Sequence, residues 1–277
     1  MQQTETSPRY YFRFQLLHRI LHGFLMTSFL GLAASGMPLR FNQAAWANRF
    51  SQAIGGFGAI RFFHLFFAIL LTLCFAVHLG YLFYVAVIKR ERGILWGPSS
   101  LVPQWKDFLD VYQQFKWFFG RGPKPQFARF TYWEKFDYWA VFWGMAIIGT
   151  TGYVMWFSTF FARFLPGKLF NVALLIHADE ALLAVWFVFA IHFFNSHLRP
   201  EEFPMDLVML TGRISEEKLR ETRPIEYRHL VEQDNLSSLE VEPPQPSLKN
   251  FGRVAGFTVI AIGLFLFGLT LWSFLNE

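Results

Sequence analysis

Residues Ile60 to Ile88 read IRFFHLFFAILLTLCFAVHLGYLFYVAVI, 29 residues whose one formal charge, Arg61, stands at the start. As a helix the run covers about 43 Å, more than the roughly 30 Å of hydrocarbon in a bilayer. It therefore reads as a membrane-crossing helix, and the two ionisable side chains inside it, His64 and His78, become the informative positions. They stand fourteen residues apart. That spacing separates them by about 21 Å along a helix axis and leaves them within roughly 60° of one face. Leu169 to Phe194 repeats the arrangement, with His177 and His192 fifteen apart.

An imidazole in hydrocarbon is costly and marks function by default. If the two helices run antiparallel, His64 and His177 share one depth and His78 and His192 the other. Each pair can then grip one haem iron from both sides. Imidazole nitrogen is a preferred axial ligand, and an iron with both axial positions filled by side chains has no open site for oxygen or substrate. Such a group transfers electrons. The competing reading is four hydrogen-bonded core histidines.

The whole chain suits lipid: 53% of residues are apolar, 20% aromatic and only 16% charged, far from the balance of a soluble domain. Five segments are long enough to cross: Leu16 to Leu39, Ile60 to Ile88, Tyr138 to Phe161, Leu169 to Phe194 and Val254 to Leu275. The expected fold is all-α, an integral membrane bundle of four haem-binding transmembrane helices plus a fifth C-terminal transmembrane helix. Residues 1–198 form the four-helix domain, 199–250 a cytoplasmic polar segment and 251–277 the last helix.

Cys74 is the only cysteine and lies inside the second span, which excludes disulfides, iron–sulfur clusters and cysteine-rich zinc sites within the chain. With no C-x-x-C-H, any haem is held by side-chain ligation alone. The first nine residues lack the basic leader, apolar stretch and cleavage site of a secretory signal, so the first apolar run is expected to be a retained helix. Of the 25 Lys and Arg residues, only Arg40, Arg49, Arg61, Arg163 and Lys168 fall on one side of the five-span arrangement. The positive-inside rule then puts the N-terminus in the cytoplasm and Glu277 on the periplasmic side of a bacterial inner membrane. The net charge of +5 is a topology signal and gives a nucleic-acid partner no support.

Ser35-Gly36-Met37-Pro38 reads as the stop of span one, and Gly55-Gly56 with Gly58 as a turn in a short outer loop. Asp107 to Phe119, ahead of the Gly120-Arg121-Gly122-Pro123 breaker, reads either as an interfacial helix along the headgroups or as a helix packed under the bundle. In the polar segment, Ser215 to Arg220 reads as a short helix and Glu240 to Pro246 as an extended linker. Span five has no histidine and is expected to cover the bundle or meet a partner subunit.

His22 in span one and His197 at the end of span four lie near the cytoplasmic surface. On an α-helix His197 stands about 140° around from His192 and points away from the pairs above. The two could bind a third haem, or His22 could replace His78 as the partner of His192, or both could be interfacial histidines meeting headgroups or a quinone. His18 reads as a surface neighbour of His22, and His229 as solvated. Arg19 and Arg61, each three residues before a histidine, would place guanidinium groups where haem propionates emerge, or would anchor their helices at the membrane edge. Gly31, Gly36, Gly80, Gly144, Gly149 and Gly152 lie within helices, where each costs about 1 kcal/mol relative to alanine. A porphyrin pressed on the backbone or small-residue helix packing would compensate. Quinol oxidation releases protons, and Asp179, Glu180, Glu134 and Asp137 are the acids placed to take them. Glu134 also suits an anchoring ion pair with Lys135 or Arg129.

With the histidines placed, a resemblance can be stated. Arg19-Ile20-Leu21-His22, Ser35-Gly36-Met37-Pro38-Leu39, Gly55-Gly56, Arg61-Phe62-Phe63-His64 and His78-Leu79 resemble the bacterial di-haem cytochrome b subunits of nickel–iron hydrogenases, formate dehydrogenases and thiosulfate reductases. Tyr132 to Trp139, Ile176-His177-Ala178-Asp179-Glu180-Ala181, and His192 through His197 to Phe203-Pro204-Met205-Asp206 are similar to a branch found alongside multihaem cytochromes c. The resemblance covers residues 10 to 230. It implies four haem-binding helices, non-covalent haem b, and electron exchange with menaquinone or ubiquinone near the inner haem. In the formate dehydrogenase subunits the ligands correspond here to His22, His64, His177 and His192. This chain departs from that pattern by adding His78 and His197, which keeps two haems and three both open.

The expectation is a membrane-bound electron-transfer subunit passing electrons between the quinone pool and a redox partner, such as a multihaem cytochrome c or an iron–sulfur/molybdenum dehydrogenase. Substrate catalysis would belong to that partner. The alternatives are a histidine-based proton-relay or transporter subunit and a haem-free membrane anchor.

Overall fold

A computed structural model of the chain describes residues 8–276. The expectations for the first residues and for Glu277 lie outside those residues. Strand β1 (Tyr10–Phe12) leads into α1 (Leu16–Arg40), α2 (Ala45–Ile54) and α3 (Phe57–Phe83), which runs on as a π turn to Ile88. Next come α4 (Trp105–Phe118), α5 (Tyr132–Gly144), a π turn over Met145–Gly149, α6 (Thr150–Trp156), α7 (Ser158–Phe161) and α8 (Lys168–Phe187). Two further π turns extend α8 to Leu198, followed by α9 (Leu207–Thr211), β2 (Arg213–Ser215), α10 (Glu216–Thr222), α11 (Pro224–Glu232), β3 (Glu240–Val241) and α12 (Pro246–Leu275).

Four of these helices are long and apolar enough to cross a membrane: α1, α3 with its π turn, α8 with its π turns, and α12. The expected third span is helical but does not meet that standard. It is assembled from a 13-residue α-helix, a five-residue π turn and a seven-residue α-helix, and Glu134, Lys135 and Asp137 charge its first turns. Span one runs through Pro38 to Arg40 instead of stopping there. The connection beyond it is more than a short loop, since it holds α2, which ends where Gly55 and Gly56 adopt φ of +112° and +91°. Only glycine takes such angles without strain, which is why the chain can reverse at this point.

The chain is mostly helical, as expected of an all-α bundle, and carries one small sheet besides. β1 pairs antiparallel with β2 on one side and β3 on the other, so that Tyr11 faces both Ile214 and Glu240. Three residues are too few to show a strand period, and their partners lie near the other end of the chain. The helix expected at Ser215 is α10, with Ser215 Oγ accepting from the Lys218 N–H at its start.

The chain divides into two compact units. One gathers Met1–Arg19, Leu79–Trp139 and Leu207–Phe251. Its apolar centre is Tyr11, Val208, Ile214 and Leu219, and an ion network lies beside it. Arg13 and Arg129 both pair with Glu226, and Arg223 pairs with Glu134 at 2.8 Å. Burial pushes the Arg13 guanidinium down to about 10, against the pull of Glu226. Removing one partner of such a buried pair would strand the other charge, at about 3–5 kcal/mol.

The other unit comprises Ile20–His78, Ala140–Asp206 and Gly252–Glu277. Its core joins Ala33 and Met37 of α1, Leu182 and Val185 of α8, and Val259 and Leu266 of α12. In lipid, such helices associate through close packing of small residues more than through the hydrophobic effect. Accordingly the Phe67 ring lies on Gly31 and the Phe193 ring on Gly263, where any Cβ would collide. The last span is also tied by hydrogen bonds: Trp46 Nε1 donates to Ser273 Oγ (2.6 Å) and Trp186 Nε1 to Thr270 Oγ1 (3.2 Å).

Candidate cofactor site

His64 of α3 and His177 of α8 come together as the spacing suggested. Their ring centroids are 6.2 Å apart and the ring planes stand at 75°. Ser35 Oγ gives its own proton to the Gly31 carbonyl (2.6 Å) and lies 3.1 Å from His64 Nδ1, so it accepts the Nδ1 proton. His177 Nδ1 lies 2.9 Å from the Ile148 carbonyl, which can only accept, and 3.3 Å from Thr151 Oγ1. The Thr151 proton goes to the Ile147 carbonyl at 2.7 Å. Both imidazoles are thereby held as the Nδ1–H tautomer, with the lone pair on Nε2, which is the state a metal-binding histidine needs.

Each ring also rests on a glycine. A Cβ at Gly36 would lie 3.1 Å from His64 Cε1, and one at Gly152 would lie 3.0 Å from His177 Cε1. The two seats are alike: Ser35-Gly36 on α1 under His64, and Thr151-Gly152 on α6 under His177. Of the two explanations offered for the helix glycines, small-residue packing describes Gly31. Gly36 and Gly152 instead make room for an imidazole edge.

With centroids 6.2 Å apart, the two rings are close enough for each to offer a nitrogen to one metal. Among the described residues no cluster of three or more His, Cys, Asp or Glu side chains could hold a bare ion. Two imidazoles would suit a metal that brings its remaining ligands with it, as a porphyrin-bound iron does.

A second group of histidines forms around His22, which lies close enough to His192 and His197 for their charges to interact. The expectation that His197 points 140° away assumed an unbroken α-helix. The chain instead closes i→i+5 bonds from Phe193 N–H to the Val188 carbonyl and from Arg199 N–H to the Phe194 carbonyl. Residues joined by such i→i+5 closures are not separated by the α-helical 100° each, so the 140° count does not apply over this stretch. His197 is buried, with Nδ1 3.0 Å from the Pro204 carbonyl, which leaves its Nε2 lone pair free as well. His78 lies against Phe142, with ring centroids 6.2 Å apart.

The remaining positions are placed as follows. Arg19 donates from Nε to the Leu210 carbonyl at 2.9 Å, so its contact is with the end of α9. Arg61 is exposed one turn before His64, His229 is exposed, and His18 meets the Tyr81 ring edge-on at 4.9 Å. Glu134 pairs with Arg223, while Lys135, its expected partner, pairs with Asp107 at 2.8 Å. Asp179 stands 3.8 Å from Arg40 at the surface. Ser35, Thr151 and the Ile148 and Pro204 carbonyls were not legible as functional. A hydroxyl residue followed by glycine, twice in apolar helices, is the signal that could have found two of them. No family model matches the chain, and no curated protein matches it.

Proposed function

We propose that this chain is a membrane cytochrome b, the electron-transfer subunit of a bacterial inner-membrane complex, working between the quinone pool and a partner redox protein. The observation that carries the reading is the His64–His177 pair, which would hold one haem between them, each ring kept by its Nδ1 partner with Nε2 available. We assign His64 and His177 to one haem b, and His22 with His192 to a second. When bound, haem b supplies reversible one-electron exchange at iron.

This chain's residues bind, orient and insulate. Ser35 and the Ile148 carbonyl fix the ring orientation and raise the basicity of each ligand. Gly36 and Gly152 let the rings approach the helix backbone, and the apolar walls of α1, α3, α6 and α8 keep water from the pair. Glu134 is fixed as an anion by Arg223 and by the Thr131 N–H and hydroxyl, each at 2.7 Å. A carboxylate so tied caps a helix and does not cycle protons. Quinol protons would pass through the other acids, Asp179 and Glu180 within α8 or Asp137 near the start of α5.

The test is a reduced-minus-oxidised optical spectrum of the chain purified from membranes, with haem quantified against protein. Two haems per chain with sharp low-spin bands are expected. A preparation that stays colourless when supplied with haem would overturn the proposal in favour of a proton relay or a bare anchor.

A further inference from the structure

Helix α4 is built inside out. Its polar residues Asp107 and Gln114 are buried, and Asp107 holds Lys135 of α5 with both side chains nearly enclosed. The same carboxylate accepts the Gln104 N–H at 2.6 Å, which caps the helix. The opposite stripe, Phe108, Tyr112 and Phe115, is exposed at 62%, 64% and 56%, and Phe119 continues it past the last turn. Left in water, four such rings would forgo roughly 6–12 kcal/mol of burial. A helix that buries its carboxylate and presents its aromatics has been rotated toward an apolar phase.

A cation borders that stripe. Lys116 Nζ lies 5.5 Å from the Tyr112 ring centre. A lysine stem along an aromatic face carries its charge outward to headgroup level. The segment also follows α3, a membrane-crossing helix, with Lys89 and Arg90 just after its end.

We infer that α4 lies in the headgroup layer of an anionic leaflet, its aromatic stripe toward the acyl chains and Lys116 on phosphate, with the Lys135–Asp107 pair as the latch that sets this rotation. The inference rests on the membrane reading of α3 and not on haem. Amphipathic segments of this kind bury their apolar face about 5–10 Å into the boundary.

The test uses the full chain in nanodiscs of phosphatidylcholine and phosphatidylglycerol. In a Cys74→Ser background, spin labels are placed singly at Phe115→Cys, at Leu73→Cys within α3, and at Gln233→Cys on the polar surface. Relaxation by oxygen and by a water-soluble nickel chelate is then compared. The label at 115 is expected to share the high oxygen-to-nickel ratio of the label at 73, to lose part of it without phosphatidylglycerol, and to lose most of it in Lys135→Met. Asp107→Asn gives the same readout should Lys135→Met not fold. Nickel access at 115 equal to that at 233 overturns the inference, as does protection from both reagents, which would mean a protein covers the face. No loss in either latch variant overturns the latch. A water-like ratio at 73 as well would instead sink the membrane reading itself.

Discussion

Alanine at Gly36 or Gly152 probes the site without touching a ligand. The new Cβ would stand 3.1 Å from His64 Cε1 in one case and 3.0 Å from His177 Cε1 in the other. Ordinary contact begins near 3.4 Å, so the ring must retreat by a few tenths of an ångström. A ring bonded to iron cannot yield along the metal bond, and its Nδ1 partner resists rotation. Overpacking of this size costs about 1–3 kcal/mol, which translates to roughly 5- to 150-fold weaker haem binding at that site. Gly80→Ala is the control on the same helix as His64, because a Cβ there meets nothing within 4 Å. Gly31→Ala, which would press on Phe67, controls for packing alone and should lower thermal stability while leaving haem affinity near native. The assay is titration of haem into apoprotein, followed by the low-spin absorption bands. Native affinity in both Gly36→Ala and Gly152→Ala, or an equal loss in Gly80→Ala, would refute the reasoning.

His64→Ala and His177→Ala should each halve haem content and leave the other haem spectroscopically intact; loss of both haems, or of neither, contradicts the assignment. His22→Ala and His192→Ala should each remove the other haem, whereas His197→Ala should leave two per chain. A fall to two-thirds of native content in His197→Ala would instead establish a third haem. For Glu134, burial alone would raise the carboxyl, but Arg223, Arg13 and the Thr131 hydrogen bonds outweigh it and hold the group below its ordinary value of 4.5. A depressed carboxyl contributes stability that is complete above the unfolded value and is lost as pH falls through the folded one. Amide-exchange protection of β1 and β2 should therefore hold above about pH 4.5 and decline only below it. Glu134→Gln should abolish that acid dependence, and an unchanged profile in this variant would count against the pairing.

The long helices and the His64–His177 pairing were legible because helix periodicity and bilayer thickness are local rules: length, apolarity and spacing along one axis settle them before anything packs. Lys89 to Lys135 and the polar segment were less legible, since ion pairs between residues far apart in sequence leave no periodic trace. Lys135 illustrates the point, sitting beside Glu134 in the chain yet paired with Asp107 across helices. The strand Tyr10–Phe12 is similar, its partners lying near the other end of the chain. His197 shows the limit of the local rules themselves, because an α-helical count of its angle does not apply where the chain closes i→i+5.

By itself, then, the sequence determined long apolar helices able to cross a bilayer, with His64 and His177 spaced to meet, because length and apolarity are properties of each helix separately. Only the tertiary structure decided which hydroxyl or carbonyl holds each Nδ1, which glycine seats each ring and which way α4 faces. Those depend on distances between helices, which no single span encodes.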